Sequence, residues 1–302
     1  METHGTGEWQ EPLAPAEVGQ VRFDAWKAFW LWSMLVPGAL FGFRALTART
    51  LGVALGLTFL TLCVGHSVGL HRGIIHRTYE AHPVTRGVLA YLAVLTGLGG
   101  PLSWVRHHAV RDYWQNRADC PRYFAYEHSL ARDFVWSLHL RFVPRDDRAL
   151  ARLPAGVLHD RWLRFLERTW PLHVLGLAAL AAATLGPPAV LVCVCARTAG
   201  GILGHWFIGY AAHVWGERRF MVPGAKESGT NVWLLGVLSF GEGFHNNHHA
   251  FPRSARMGIA PGELDVGYWV IRVLRALRLV WDVKAEPSSR AARVAAVSEP
   301  SG

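Results

Sequence analysis

Residues 28–43 read AFWLWSMLVPGALFGF and residues 51–70 read LGVALGLTFLTLCVGHSVGL. About 20 such residues in a helix cover the ~30 Å of hydrocarbon in a bilayer. Within hydrocarbon every backbone N–H and C=O must be bonded inside the protein, so a spanning segment is helical unless it closes a barrel. A second pair of apolar runs is broken at Gly186-Pro187-Pro188, because proline cannot continue a helix and disfavours helix in the residue before it. The expected fold is an all-α integral membrane protein with four transmembrane helices, at about 28–46, 50–70, 171–186 and 188–212.

Composition narrows the function classes. Of 302 residues 51% are apolar and 18% charged, below the roughly 25% charge of an average soluble domain, so neither a disordered nor a fibrous chain fits. The net charge is +9, yet 28 of the 31 basic residues are scattered arginines; no basic helix or zinc-finger spacing organises them for nucleic acid, and anionic lipid headgroups are the simpler partner. The four cysteines form neither a CxxC pair nor a disulfide framework. Residues 1–20 are polar and lack the pattern of a cleaved signal, so the N-terminus is expected to stay where it is made.

Twelve arginines fall between residues 105 and 169, which by the positive-inside rule puts that stretch and both chain ends in the cytoplasm. Arg44 and Arg49 at the opposite turn weaken that bias without reversing it. The expected organisation is a cytoplasmic N-terminal segment (1–26), a membrane domain (27–284) whose cytoplasmic, histidine-rich cap comprises 71–170 and 213–284, and a disordered tail (285–302). Residues 87–104 are expected at the interface or under the cap, and 266–283 as a surface helix.

Histidine is the commonest metal ligand, but an isolated histidine is usually structural. Here the histidines cluster. HSVGLHRGIIHRTYEAH places His71 and His76 five apart where the second span should leave the membrane, flanked by His66 and His82. In GEGFHNNHHAFP, His245, His248 and His249 stand at i, i+3 and i+4 and so can share a helical face. Crowded imidazoles repel when protonated and are polar when buried, and a metal compensates both. SWVRHHAVRDYWQN repeats that spacing as His108, Arg111 and Asp112; aspartate can ligate and arginine cannot. His213 ends the fourth span in GHWFIGYAAHVWG, eight residues after His205 with Gly209 midway. Imidazole and carboxylate without thiolate suit iron, and nitrogen ligands alone do not exclude zinc. Glu242 stands where it could orient an imidazole through its other ring nitrogen or carry charge at a helix start. His66, His82 and most tryptophans read as structural or interfacial.

HRxxxHRTYEAH at 71–82 and GEGFHNNHHAFP at 241–252 resemble the histidine boxes of the membrane fatty acid desaturases, particularly the stearoyl-CoA-type delta-9 branch, and the resemblance spans most of residues 27–284. It implies four spans under a cytoplasmic cap, two non-haem irons, O2 as co-substrate, a fatty acyl-CoA or acyl-lipid substrate in a bent tunnel, and an external electron donor of cytochrome b5 or ferredoxin type with its reductase. The implied metal residues are His71, His76, His108, Asp112, His213, His245, His248 and His249, with His107, His205 and Glu242 as further metal or supporting residues. Two departures touch this set. The family's middle box is HxxHH, against His108-Ala-Val-Arg111-Asp112, and the asparagine four residues before the late histidine is Gly209. Asp112 is expected to replace one imidazole, and His205 to reach into the space that Gly209 leaves.

An unactivated methylene has no acidic proton and no leaving group, so side-chain acid, base or nucleophile chemistry cannot desaturate it; metal-activated oxygen can. No haem-attachment, flavin or iron–sulfur motif is present to supply electrons. A hydroxylase or other oxidase on the same scaffold is the first alternative. A membrane haem electron carrier, for which His66 and His205 are the only ligand candidates, and a metal-free lipid-binding relative are alternatives of another class.

Overall fold

Asp24 accepts a hydrogen bond from the Lys27 N–H and so opens a helix, satisfying a donor that a helix start leaves free. In the computed structural model, which describes residues 12–285, this helix α1 covers Ala25–Phe41 and a 3-10 turn extends it to Ala45. Thr47 and Thr50 cap one another reciprocally at the start of α2 (Ala48–Ile75). There follow α3 (Pro83–Val94), α4 (Pro101–Gln115), α5 (Leu130–His139), α6 (Arg161–Leu185) and α7 (Leu191–Val214). Three shorter helices follow: α8 (Trp233–Leu238), α9 (His245–Ala250) and α10 (Val266–Ala276). The expected tail at 286–302 and residues 1–11 lie outside the described residues.

The molecule is mostly helical, as expected, with four short strands among the described residues. β1 (Gly19–Phe23), β2 (Glu80–Ala81), β3 (Leu140–Pro144) and β4 (Val280–Trp281) form two antiparallel pairs, β1 with β3 and β2 with β4. Each pair ties cap segments distant in sequence to the end of a long helix. The two-residue strands β2 and β4 carry no legible alternation, which is why they escape a periodicity reading.

Among the described residues three helices are long and apolar enough to cross a membrane: Ala25–Ala45, α2 and α7. α6 is 25 residues long, but Arg161, Arg164, Glu167 and Arg168 occupy its first half; beyond Trp170 it is apolar and exposes Leu172, Leu175 and Leu180. Gly186 ends it with φ 91°, ahead of the two prolines. α2 continues to Ile75 rather than ending near residue 70, so His71 lies on the helix itself.

The segment 87–104 packs against α2 and α6. Leu89, Ala90, Ala93 and Val94 of α3 bury against Leu70 and Ile74 of α2, and with Leu163 and Leu166 of α6 they make the central apolar core. The approach is close because α2 carries glycine on that face: a Cβ on Gly65 would meet the Ala93 nitrogen at 2.4 Å, and one on Gly69 the Leu89 Cβ at 2.6 Å. A second core, Trp30, Met34, Val174, Val194 and Ala199, joins α1, α6 and α7. The first core joins α2, α3, α4 and α6, and the second ties α6 and the start of α7 to α1.

Candidate metal centre

From Phe59 to Ile75 α2 is wound with i→i+5 hydrogen bonds, continued by the His76 N–H, which donates to the His71 carbonyl at 3.0 Å. In an ordinary α-helix a separation of five turns a side chain ~140° away; the wider winding brings residues five apart back toward one face. His71 and His76 accordingly stand with ring centroids 4.8 Å apart. Wide turns of this kind are frequent at functional sites.

α9 is a six-residue helix, too short to be stable alone. Its two asparagines hold it. Asn246, fully buried, donates to the Phe220 and Ser228 carbonyls and accepts from the Arg219 and Phe220 N–H groups. Asn247 donates to the Met257 carbonyl and Glu263 and accepts from Asn231. Fixed in this way, α9 divides its histidines between two sets rather than presenting one face to one site.

The donor atoms of His71, His76, His108 and His248 lie within 4.8 Å of one another, and so do those of His213, His245 and His249. Glu242 Oε2 sits 2.7 Å from His71 Nδ1, while its Oε1 accepts from Ser67 Oγ at 2.5 Å. His213 Nδ1 stands 2.7 Å from the Gly209 carbonyl. Each contact takes up Nδ1 and leaves Nε2 free. Behind Glu242, the fully buried Arg72 donates to Asp265 at 2.9 Å and to the Ala255 and Phe240 carbonyls, tying α2 to the loops around the third box.

A metal fits these sets. His71 Nε2, His76 Nε2, both nitrogens of His108, His213 Nε2, His245 Nε2 and His248 Nδ1 are buried without a hydrogen-bond partner, each an unmet polar atom costing ~1–3 kcal/mol. Burial pushes His76 down to about 3 and His249 down to about 4. His245 and His248 fall well below the ordinary imidazole range through burial, reinforced by His249 and His76 respectively. Neutral imidazoles keep the lone pair that a cation needs. The donor set is nitrogen only, and none of the free cysteines among the described residues joins it; imidazole of this kind suits iron among other transition metals.

The remaining expected residues lie elsewhere. Asp112 stands outside both sets: its Oδ2 is 3.0 Å from His108 Nδ1 without the alignment of a hydrogen bond, and its Oδ1 is 3.5 Å from Arg111 Nη2. Burial would raise its carboxyl, but His108, Arg111 and His76 outweigh that and hold it far below the usual range. His107 turns to Trp104, ring centroids 5.9 Å apart. His205 packs edge-on against His66 at 4.9 Å and Trp104 at 4.7 Å, and with the two imidazoles in direct contact no macrocycle fits between them. The expectation that His205 fills the space at Gly209 is corrected by Tyr126. Its hydroxyl is 3.9 Å from where a Gly209 Cβ would be, and its ring stacks on His213 at 4.1 Å. Tyr126 lies in a loop with no motif around it, so nothing in the sequence marks it; Arg72 is marked only as a charge next to a box histidine.

Comparison with known proteins agrees with this geometry. The fatty acid desaturase family matches residues 46–264. The chain is 30% identical over 252 residues to the Delta-9 acyl-lipid desaturase 2 of Arabidopsis thaliana, covering 81% of this chain and 79% of that one. It is 30% identical to the sn-2 palmitoyl-lipid 9-desaturase of Nostoc sp. (strain 36), covering 78% and 82%, and 30% identical to the sn-1 stearoyl-lipid 9-desaturase of Anabaena variabilis, covering 82% and 89%.

Proposed function

The chain belongs to the fatty acid desaturase family, and from that premise we propose that it introduces a double bond into the acyl chain of a lipid or acyl-CoA, using O2 at two non-haem iron positions. The single observation that carries this reading is the pair of buried, convergent, neutral imidazole sets at the end of a bundle of membrane-length helices.

His71, His76, His108 and His248 would hold one iron and His213, His245 and His249 the other, with Asp112 beside the first. Bound iron would supply the oxidising power with which O2 removes two hydrogens from adjacent methylenes; an external donor of cytochrome b5 or ferredoxin type, through its reductase, would supply the other two electrons, and with two protons from solvent the oxygen would leave as two waters. The chain's own residues set the geometry. Glu242 keeps His71 in the tautomer whose Nε2 is free, and the Gly209 carbonyl does the same for His213. His66, Trp104 and His205 pack together beside the sets and keep water from that side.

The same reading makes residues 27–284 one membrane domain, with α6 from residue 171 onward as the fourth span. The arginine-rich segment between residues 105 and 169 supports a cytoplasmic cap with both chain ends on the same side. Gas chromatography of lipids from cells expressing the chain tests the reaction: a new monounsaturated acyl species is expected, absent with His76→Ala. Hydroxylated acyl chains in its place would move the assignment to the hydroxylase alternative, and an unchanged lipid profile from iron-loaded protein supplied with electrons would overturn it.

A further inference from the structure

The third histidine box places imidazoles at i, i+3 and i+4 of a helix, and α9 delivers the outer two, His245 and His249, to one set and the middle one, His248, to the other. α4 presents the same spacing as His108, Arg111 and Asp112. His108 joins the set that α9 serves with its middle residue, so the two helices face the sets in opposite order. By that alternation position 111 falls to the His213 set and position 112 to the His71 set. The contacts agree for Asp112, whose carboxylate lies 3.0 Å from His108. Arg111 is mostly buried, and among the described residues its Nε has no partner and its guanidinium has only the Asp112 carboxylate, at 3.5 Å.

On that alternation the two sets differ in donors and in charge. One has four imidazoles and an adjacent carboxylate; the other has three imidazoles and, at the position the alternation gives to a fourth donor, a permanent cation. A divalent ion gains from the first neighbour and is repelled by the second, and in a buried site both effects are stronger than in water. We propose that the two sets are unequal metal positions, the His71, His76, His108 and His248 set holding metal tightly with Asp112, and the His213, His245 and His249 set holding it weakly and exchangeably because of Arg111. This rests on the reading that both sets bind metal.

Anaerobic titration of purified metal-free protein with Fe2+, followed by metal analysis, and with Co2+, followed by its visible spectrum, tests it without reference to turnover. The wild type should bind one equivalent tightly and a second at least ~100-fold more weakly, the scale on which supporting and donor groups alter metal affinity. Arg111→His should bring the two affinities to within about tenfold. His213→Ala should abolish only the weak equivalent, and His76→Ala should weaken the tight one. Should Arg111→His not fold, the wild-type titration and His213→Ala decide the matter. Two equivalents of equal affinity in the wild type, or a single equivalent in folded Arg111→His, would overturn the inequality while leaving metal binding intact; a protein that binds neither ion would overturn both.

Discussion

In α9 both ends of the Asn246 and Asn247 amides are hydrogen-bonded, whereas in α4 neither ring nitrogen of His108 is, and Gln115 Oε1 and Arg111 Nε are equally bare. The two helices line the same histidine sets and are both buried there. α9 also carries bare nitrogens, at His245 and His248, but its asparagines fix it through protein contacts whether or not those are met. Around His108, α4 carries buried polar atoms that a native structure rarely leaves unmet without a ligand. The contrast distinguishes residues that build the site from residues that wait for what it binds, and substitutions on the two sides should fail differently.

The largest effect is expected on the scaffold side. Arg72→Met leaves Asp265 and Glu242 facing each other across the space of a fully buried cation. Breaking a buried pair in this way costs about 3–5 kcal/mol. Thermal unfolding of the purified protein in detergent should show the loss with and without metal, and a variant as stable as the wild type would remove Arg72 from the scaffold. Next in size is the effect of metal removal on the bare side. A ligand present at ~100 times its Kd stabilises the folded site by about 2.7 kcal/mol. Chelation should thus speed amide hydrogen exchange in α4 by up to about a hundredfold and in α9 by less, because the Asn246 and Asn247 contacts remain when the metal leaves. Equal deprotection of both helices would erase the distinction. Glu242→Gln lies between the two walls, because Glu242 touches His71 but no metal position. Metal affinity of the first set should fall ~10–100-fold with the unfolding temperature nearly unchanged; a large loss of stability would instead make Glu242 part of the scaffold.

What could be read from the sequence follows the same division. Runs of about 20 apolar residues announced the long helices because hydrocarbon thickness imposes a length, and the i, i+3, i+4 spacing announced α9 because a helix imposes a period. The five-residue spacing of His71 and His76 was legible as a motif, but not the i→i+5 winding that brings them together, since no local period announces it. Arg72 and Asp265 are 193 residues apart, and long-range pairing of that kind leaves no trace in local pattern. The division of His245 and His249 from His248 was hidden for another reason: a shared helical face says which side chains point the same way, not how many partners meet them. Tyr126 took the space at Gly209 because stacking on an imidazole demands only a ring at the right distance, which a loop can supply from anywhere in the chain.

The smallest effect concerns His205, and it separates packing from ligation most finely. It lies one helical turn before Gly209 and two before His213, so by spacing it belongs with the metal residues. Its ring instead meets His66 and Trp104 edge-on at under 5 Å, an arrangement aromatic rings favour for its own sake, and it is absent from both donor sets. A phenylalanine there preserves the ring contacts and removes both nitrogens. His205→Phe should bind iron within about twofold of the wild type, whereas His205→Ala, which removes the packing as well, should lose about 1–3 kcal/mol of stability in line with a cavity at a partly buried site. If His205→Phe loses metal while keeping its fold, a nitrogen of His205 reaches the centre, and the boundary drawn between the bonded scaffold and the waiting ligands would have to move down α7 by two turns.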